Sequence, residues 1–135
     1  MFLILFDMCR SDIEAYMNIL VLDDDKLVIK LVKGLLEPEG HVISSVNTIA
    51  GAIKVIKSNP PELFLLDLNL ELETAYDFLK IRSSDEILKS VPVYIISASA
   101  QEMDIITTAV RGAENYILKP LNKKVLLKKI SQLEA

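Results

Sequence analysis

Five short apolar runs, each followed by residues at helical spacing, leave few architectures open to this chain. The runs are Ile19-Leu20-Val21-Leu22, His41-Val42-Ile43-Ser44-Ser45-Val46, Leu63-Phe64-Leu65-Leu66, Val91-Pro92-Val93-Tyr94-Ile95-Ile96 and Asn115-Tyr116-Ile117-Leu118. Leu63 to Leu66 is apolar without a break, as a strand covered on both faces should be. Pro92 has to lie at the start of its strand, where a missing N–H does least harm. Between the runs the period changes. Lys26 to Glu37 places Leu27, Val28, Leu31, Val32, Leu35 and Leu36 on one side of a helix and Lys26, Lys30 and Lys33 on the other. Pro38-Glu39-Gly40 stops it.

Further helices are predicted over Ile49 to Ile56, capped by Asn47 or Thr48, and over Ala75 to Arg82, with a break before Ile87-Leu88. Two more run over Gln101 to Val110, ended by Arg111-Gly112, and over Leu121 to Leu133. In the last, Leu121, Val125, Leu126, Ile130 and Leu133 are expected inward, with Lys123, Lys124, Lys128 and Lys129 outward. Alternating strands and helices with short connections predict an α/β fold with a parallel sheet. Right-handed crossovers then put helices on both faces.

The 135 residues suit one domain. Residues 1–17 differ in character from the rest and read as an N-terminal extension, an arm or short helix around Ser11 to Tyr16. The domain proper spans 18–135. With 51% hydrophobic and 25% charged residues the chain can bury a core. A net charge of −4 argues against nucleic-acid binding by bulk charge. Cys9 is the only cysteine, which excludes an internal disulfide and a cysteine metal cluster and fits a cytoplasmic location. No apolar run approaches the ~18 residues of a membrane helix. Met1 to Phe6 is apolar but ends at Asp7, and it lacks the basic start and small-residue cleavage site of a signal peptide.

The strand ends carry the chemistry. Asp23 and Asp24 follow the first run, Asp67 the third and Lys119 the fifth. In an open parallel sheet, ligands bind beyond the carboxyl ends of the strands. The topology therefore delivers three carboxylates and an amine to one rim. Crowded carboxylates do not ionise together cheaply. A divalent cation resolves that conflict, and the lysine can hold an anionic group, which makes a site for phosphate chemistry. Taken alone, Asp23-Asp24-Asp25 would read as a solvated turn and Asp67 as a helix cap. Neither reading explains Lys119.

These residues resemble the receiver domain of bacterial response regulators, the CheY-like fold of two-component signalling, over about Asn18 to Leu133. The family pattern has an acidic pair after strand one (Asp23, Asp24), a phosphoacceptor aspartate after strand three (Asp67) and a hydroxyl residue after strand four (Ser97). A lysine followed by proline comes after strand five (Lys119-Pro120), with an aromatic switch residue three positions earlier (Tyr116). The resemblance implies a (βα)5 doubly wound, flavodoxin-like fold with strand order 2-1-3-4-5. It implies Mg2+ held by Asp24 and Asp67 directly, by Asp23 through water and by the Asn69 backbone carbonyl. Asp67 would be phosphorylated, Lys119 and Ser97 would hold the phosphoryl group, and Ser97 and Tyr116 would act as the switch. A cis peptide bond is common before the family's proline.

The implied donor is a histidine kinase or histidine phosphotransfer protein. The implied output is an unknown protein bound at a surface made by the fourth helix, fifth strand and last helix, with no direct nucleic-acid or membrane role. The resemblance also allows a homodimer. Such a chain is a self-phosphorylating and autodephosphorylating phosphoacceptor rather than a conventional enzyme. Asn69 separates it from haloacid-dehalogenase-type phosphatases, which carry aspartate there. The family's usual proline and glycine, four and eight positions after the phosphoacceptor, are Glu71 and Ala75 here. That departure predicts an individual loop conformation. It also keeps a second reading open, a receiver-like interaction module that is not phosphorylated.

Overall fold

A computed structural model describes residues 16–133. Most of the N-terminal extension, Cys9 included, lies outside the described residues. Five strands, β1 (Asn18–Leu22), β2 (Val42–Val46), β3 (Leu63–Asp67), β4 (Val93–Ser97) and β5 (Asn115–Leu118), form one parallel sheet in the order β2-β1-β3-β4-β5. The long helices are α1 (Lys26–Leu36), α2 (Ile49–Ser58), α3 (Ala75–Arg82), α4 (Glu102–Val110) and α5 (Lys123–Ser131). A further single helical turn, Glu86–Lys89, lies between α3 and β4, at the break expected before Ile87. The doubly wound 2-1-3-4-5 architecture is therefore the one observed. Among the described residues no helix is long and apolar enough to cross a membrane.

Strand alternation divides the core in two. Ile19, Val21, Leu63, Leu65, Tyr94, Ile96 and Ile117 pack with Val32 and Leu36 of α1 and Leu126 and Ile130 of α5. Their neighbours Leu20, Leu22, Phe64, Leu66, Val93 and Ile95 pack on the other face with α2 and α3. β3 is buried at all five positions because it is central and covered on both sides. Edge strand β2 is mostly exposed, which its Ser44-Ser45 pair tolerates. Met17 is buried in the α1–α5 half, its N–H donating to His41 Nδ1 at 3.1 Å. His41 itself precedes β2 and is buried.

Several termini follow from local chemistry. Asp25 caps α1 by accepting from the Leu27 N–H at 2.9 Å. Thr48 rather than Asn47 caps α2. Gly112, at φ 104°, turns the chain out of α4 where a side chain would meet the Arg82 guanidinium. Two expectations need correction. Asn122 caps α5 by accepting from Val125 N–H, so the helix starts at Lys123 and its buried stripe is Leu126 and Ile130. At ~100° per residue, that leaves Val125 on the flank, 44% exposed rather than inward. The apolar face of α1 is also wider than the sheet can cover. Leu27 is 75% and Leu31 41% exposed, whereas Val32 and Leu36 are buried.

Arg82 has a role its helical position did not reveal. It is buried, and its guanidinium donates to the carbonyls of Leu88, Val91 and Gly112 and to Glu114 Oε1 at 2.6 Å. Glu114 Oε2 in turn accepts from the Val93 N–H. One side chain thus closes the amino-terminal side of β4 and β5 against α3. We expect Arg82→Met to lower stability by about 2–4 kcal/mol, since carbonyls and a carboxylate lose their donor together. Arg82→Lys should recover only part, because one ammonium cannot reproduce the planar fork. Urea midpoints of the three proteins measure this, and a midpoint unchanged in Arg82→Met would remove Arg82 from the fold's support.

Candidate functional site

The sheet register brings the strand ends into line. Leu22 lies beside Leu66, Asp67 beside Ile96, and Ser97 beside Leu118. Asp23 and Asp24 leave β1, Asp67 closes β3, Ser97 closes β4 and Lys119 leaves β5. The Lys119 N–H donates to the Ser97 carbonyl at 2.8 Å, and the Lys119–Pro120 peptide is cis. From there Lys119 Nζ comes within 2.8 Å of Asp23 Oδ2 and 3.4 Å of Asp67 Oδ1. Sequence-distant residues 23, 67 and 119 are therefore one cluster.

Asp23 is buried. Its Oδ1 accepts from the Asp25 N–H at 2.9 Å, while its Oδ2 has Lys119 as ion partner and, among the described residues, no hydrogen-bond donor besides. Asp24 is exposed at the rim, where its Oδ2 accepts from the Glu71 N–H. Asp67 is buried, and the Asn69 N–H bonds to its carboxylate. Burial, and then the negative charge of Asp23, push the Asp67 pKa up to about 6 against the pull of Lys119. Burial draws the Lys119 pKa down, but its pairing with Asp23 and Asp67 outweighs this and holds it above its ordinary value.

The loop after β3 is bound on two sides, by Glu71 to Asp24 and by Glu73, whose Oε2 accepts from the Ile49 N–H at the start of α2. Asn69 and Thr74 form an antiparallel bridge across it. Ala75 begins α3, and among the described residues no non-glycine has positive φ. Alanine therefore meets no backbone penalty where the family usually has glycine.

Among the described residues, no three histidine, cysteine or carboxylate side chains are gathered as a metal cage. Magnesium does not need one, since one or two carboxylates with several waters suffice. The donor set fits it. Burial, and then the neighbouring Asp23 carboxylate, raise Asp67's pKa, Asp23 Oδ2 is buried against the Lys119 ammonium, and Asp24 is open at the rim.

Ser97 is buried, its Oγ accepting from the Ser99 N–H at 3.0 Å. Tyr116 is half-buried, and its hydroxyl donates to the Ser99 carbonyl at 2.8 Å. Asp25, by contrast, serves as the α1 cap and joins the cluster only through its N–H. The sequence reading missed Tyr76, Ser99 and Asp104. Ser99 Oγ donates to Asp104 Oδ2 at 2.7 Å and Tyr76 Oη to Asp104 Oδ1 at 2.9 Å. A contact between a loop hydroxyl, a helix carboxylate and a second helix's phenol has no spacing signature.

Comparison with known proteins agrees with this geometry. Residues 19–131 match the family described as the response regulator receiver domain. The chemotaxis protein CheY of Pseudomonas aeruginosa is 30% identical over 118 residues, covering 87% of this chain and 95% of that protein. The DNA-binding response regulator MtrA of Mycolicibacterium paratuberculosis is 28% identical over 113 residues, covering 84% of this chain but 49% of its own length. A two-component response regulator from Clostridium difficile superposes with a TM-score of 0.77 at 27% identity, covering 86% of this chain and 93% of that one.

The raised Asp67 pKa has a consequence for stability. The folded chain holds a proton up to about pH 6 that the unfolded chain releases near its ordinary 3.8. Stability contributed by neutral Asp67 is therefore full below ~3.8 and lost as pH rises through about 6. In metal-free buffer, Asp67→Asn should be more stable than wild type at pH 7.5 by on the order of 3 kcal/mol, and about equal to it near pH 4. Chemical melts at both pH values check this, and a variant less stable at pH 7.5 would show that ionised Asp67 is not under strain.

Proposed function

This chain belongs to the response regulator receiver domain family, and from that membership we propose that it is a phosphoacceptor whose Asp67 takes a phosphoryl group from a protein donor. The observation that carries the reading is the position of Lys119 Nζ, 2.8 Å from Asp23 and 3.4 Å from Asp67 at the carboxyl rim of the sheet. A cation beside a nucleophilic carboxylate can hold the anionic group that the carboxylate attacks.

An Asp67 carboxylate oxygen attacks phosphorus, and the bond from phosphorus to the donor's imidazole nitrogen breaks. The imidazole leaves with the electron pair, and an acyl phosphate remains. Lys119 pairs with a phosphoryl oxygen in place of Asp67 Oδ1, and the Ser97 hydroxyl donates to another. Water later attacks the phosphorus and returns Asp67 as a carboxylate with inorganic phosphate, with the Asn69 side chain facing that water. Magnesium would be held by Asp24, Asp67, the Asn69 carbonyl and, through water, Asp23, and when bound it supplies charge neutralisation for the phosphoryl oxygens.

The donor class is a histidine kinase or histidine phosphotransfer protein, and the output is a protein surface made by α4, β5 and α5. The relatives' names, chemotaxis for one and DNA binding for another of which this chain spans half, leave both a stand-alone and a multidomain output open. The loop substitutions Glu71 and Ala75 lend little to an unphosphorylated role, because Ala75 sits unstrained at the start of α3.

Acetyl phosphate with magnesium should add one phosphoryl group to the wild-type chain and none to Asp67→Asn, read by intact mass. Equal labelling of both would sink the assignment. Magnesium at ten times its dissociation constant should stabilise the wild-type fold by about 1.4 kcal/mol. In Asp24→Ala the shift should fall well below that. Equal shifts in thermal melts of the two proteins would remove Asp24 from the ligand set.

A further inference from the structure

The loop between β4 and α4, residues 98–101, has no regular structure; besides the Gln101 carbonyl, which accepts from the first turn of α4, the bonds that fix it run through one residue. The Ser99 N–H donates to Ser97 Oγ, the Ser99 carbonyl accepts from Tyr116 Oη, and Ser99 Oγ accepts from the Gln101 N–H at 3.2 Å. The hydroxyl proton of Ser99 goes to Asp104 Oδ2 at 2.7 Å. Asp104 is itself held from a different element. Its second oxygen accepts from Tyr76 Oη of α3 at 2.9 Å, and the Arg111 guanidinium lies 5.5 Å from the centre of the Tyr76 ring. Both ends of α4 thus grip Tyr76, one through its hydroxyl and the other through its ring.

A charge-assisted bond is stronger than a neutral one, and Asp104 makes two from half-buried hydroxyls. The same carboxylate fixes which way Ser99 faces, and Ser99 meets the oxygens of both Ser97 and Tyr116. Among the described residues Asp104 bonds to none of Asp23, Asp67 and Lys119, so it has no place in the reaction itself. Its effect must pass through the loop.

We propose that Asp104, braced by Tyr76, is a positioning residue that holds the β4–α4 loop in the arrangement bonding Ser97 and Tyr116, and so sets how strongly that arrangement answers to a phosphoryl group at Asp67. The second half rests on the function proposed for Asp67, whereas the first stands on the bonds alone. If a phosphoryl group favours the arrangement that Asp104 also favours, removing Asp104 must weaken phosphoryl binding by the lost preference.

Two variants separate this from a general loss of fold. Tyr76→Phe removes one hydroxyl and keeps the ring under Arg111, and Asp104→Ala removes the carboxylate. Without any phosphoryl mimic, both should shift the Ser97, Ser99 and Gln101 amide signals and the Tyr116 ring signals, although neither residue hydrogen-bonds to Ser97 or Tyr116. Amide signals of β1 and β2 should stay in place, which a merely unfolding variant would not allow. With magnesium and beryllofluoride, the apparent dissociation constant should rise about 3- to 10-fold in each variant, the equivalent of one to two hydrogen bonds. Magnesium affinity alone should not change. In an Asp104→Ala, Tyr116→Phe double variant the two losses should be less than additive, because both act on Ser99. Unmoved Ser97 and Tyr116 signals, or an unchanged beryllofluoride constant, would overturn the proposal. If wild type itself takes up no beryllofluoride, the phosphoryl reading of Asp67 falls alone, and the mimic-free signals still decide whether Asp104 positions the loop.

Discussion

One ammonium group between two carboxylates organises this rim. Asp23 is buried, and a buried charge needs a partner. β5 lies at the sheet edge, with β3 and β4 between it and β1, so the partner has to reach across the sheet. Lysine can do so because its long stem carries a compact charge. Its ammonium lies against Asp23 and stops short of Asp67, at 3.4 Å. Burial of Asp67, and then the charge of Asp23, outweigh the pull of that ammonium and push its carboxyl up to about 6. In the reaction we propose, an Asp67 carboxylate in that position gains when positive charge arrives, and the Lys119 ammonium beside it is placed to pair with a phosphoryl oxygen.

The two ends of the sheet are built differently. At the amino ends of β4 and β5, Arg82 and Glu114 join α3, the Glu86–Lys89 turn and both strands through short bonds. Towards the carboxyl ends of the same strands, the contacts run through hydroxyl groups: Ser97 closing β4, Ser99 on the loop after it and Tyr116 within β5. A fixed base and an adjustable rim are what a site needs if chemistry at Asp67 is to alter the surface of α4 and β5 without disturbing the core. The ring contacts of the interior, such as the edge-on Phe64–Phe78 pair at 5.0 Å, lie on the fixed side.

Much of this was legible in the sequence, and for identifiable reasons. Continuous apolar runs such as Leu63 to Leu66, set between segments of helical period, read as strands covered on both faces, and the strand ends then name the rim residues without any structure. The lysine before Pro120 mattered because it alone explained three distant aspartates. The reading of individual faces was weaker. Apolar character puts Val125 inward and Leu27 on the apolar side of α1, but a helix face is set by where the cap starts it and how much sheet lies beneath. Arg82 looked like an ordinary helix-end cation, since nothing local shows that carbonyls from residues 88, 91 and 112 converge on it. Tyr76, Ser99 and Asp104 were invisible for the same reason. They are joined by tertiary placement of polar tips, which leaves no period in the chain.

The central claim is that Asp67 carries the phosphoryl group as an acyl phosphate, and borohydride trapping tests it most directly. Reduction of an acyl phosphate converts the aspartate to homoserine, which peptide mass mapping locates by residue. After treatment with acetyl phosphate and magnesium, the account expects homoserine at position 67 and at no other acidic residue. Homoserine at Asp23, Asp24 or Glu71 with Asp67 intact, or none anywhere in a chain that had gained phosphoryl mass, would contradict it.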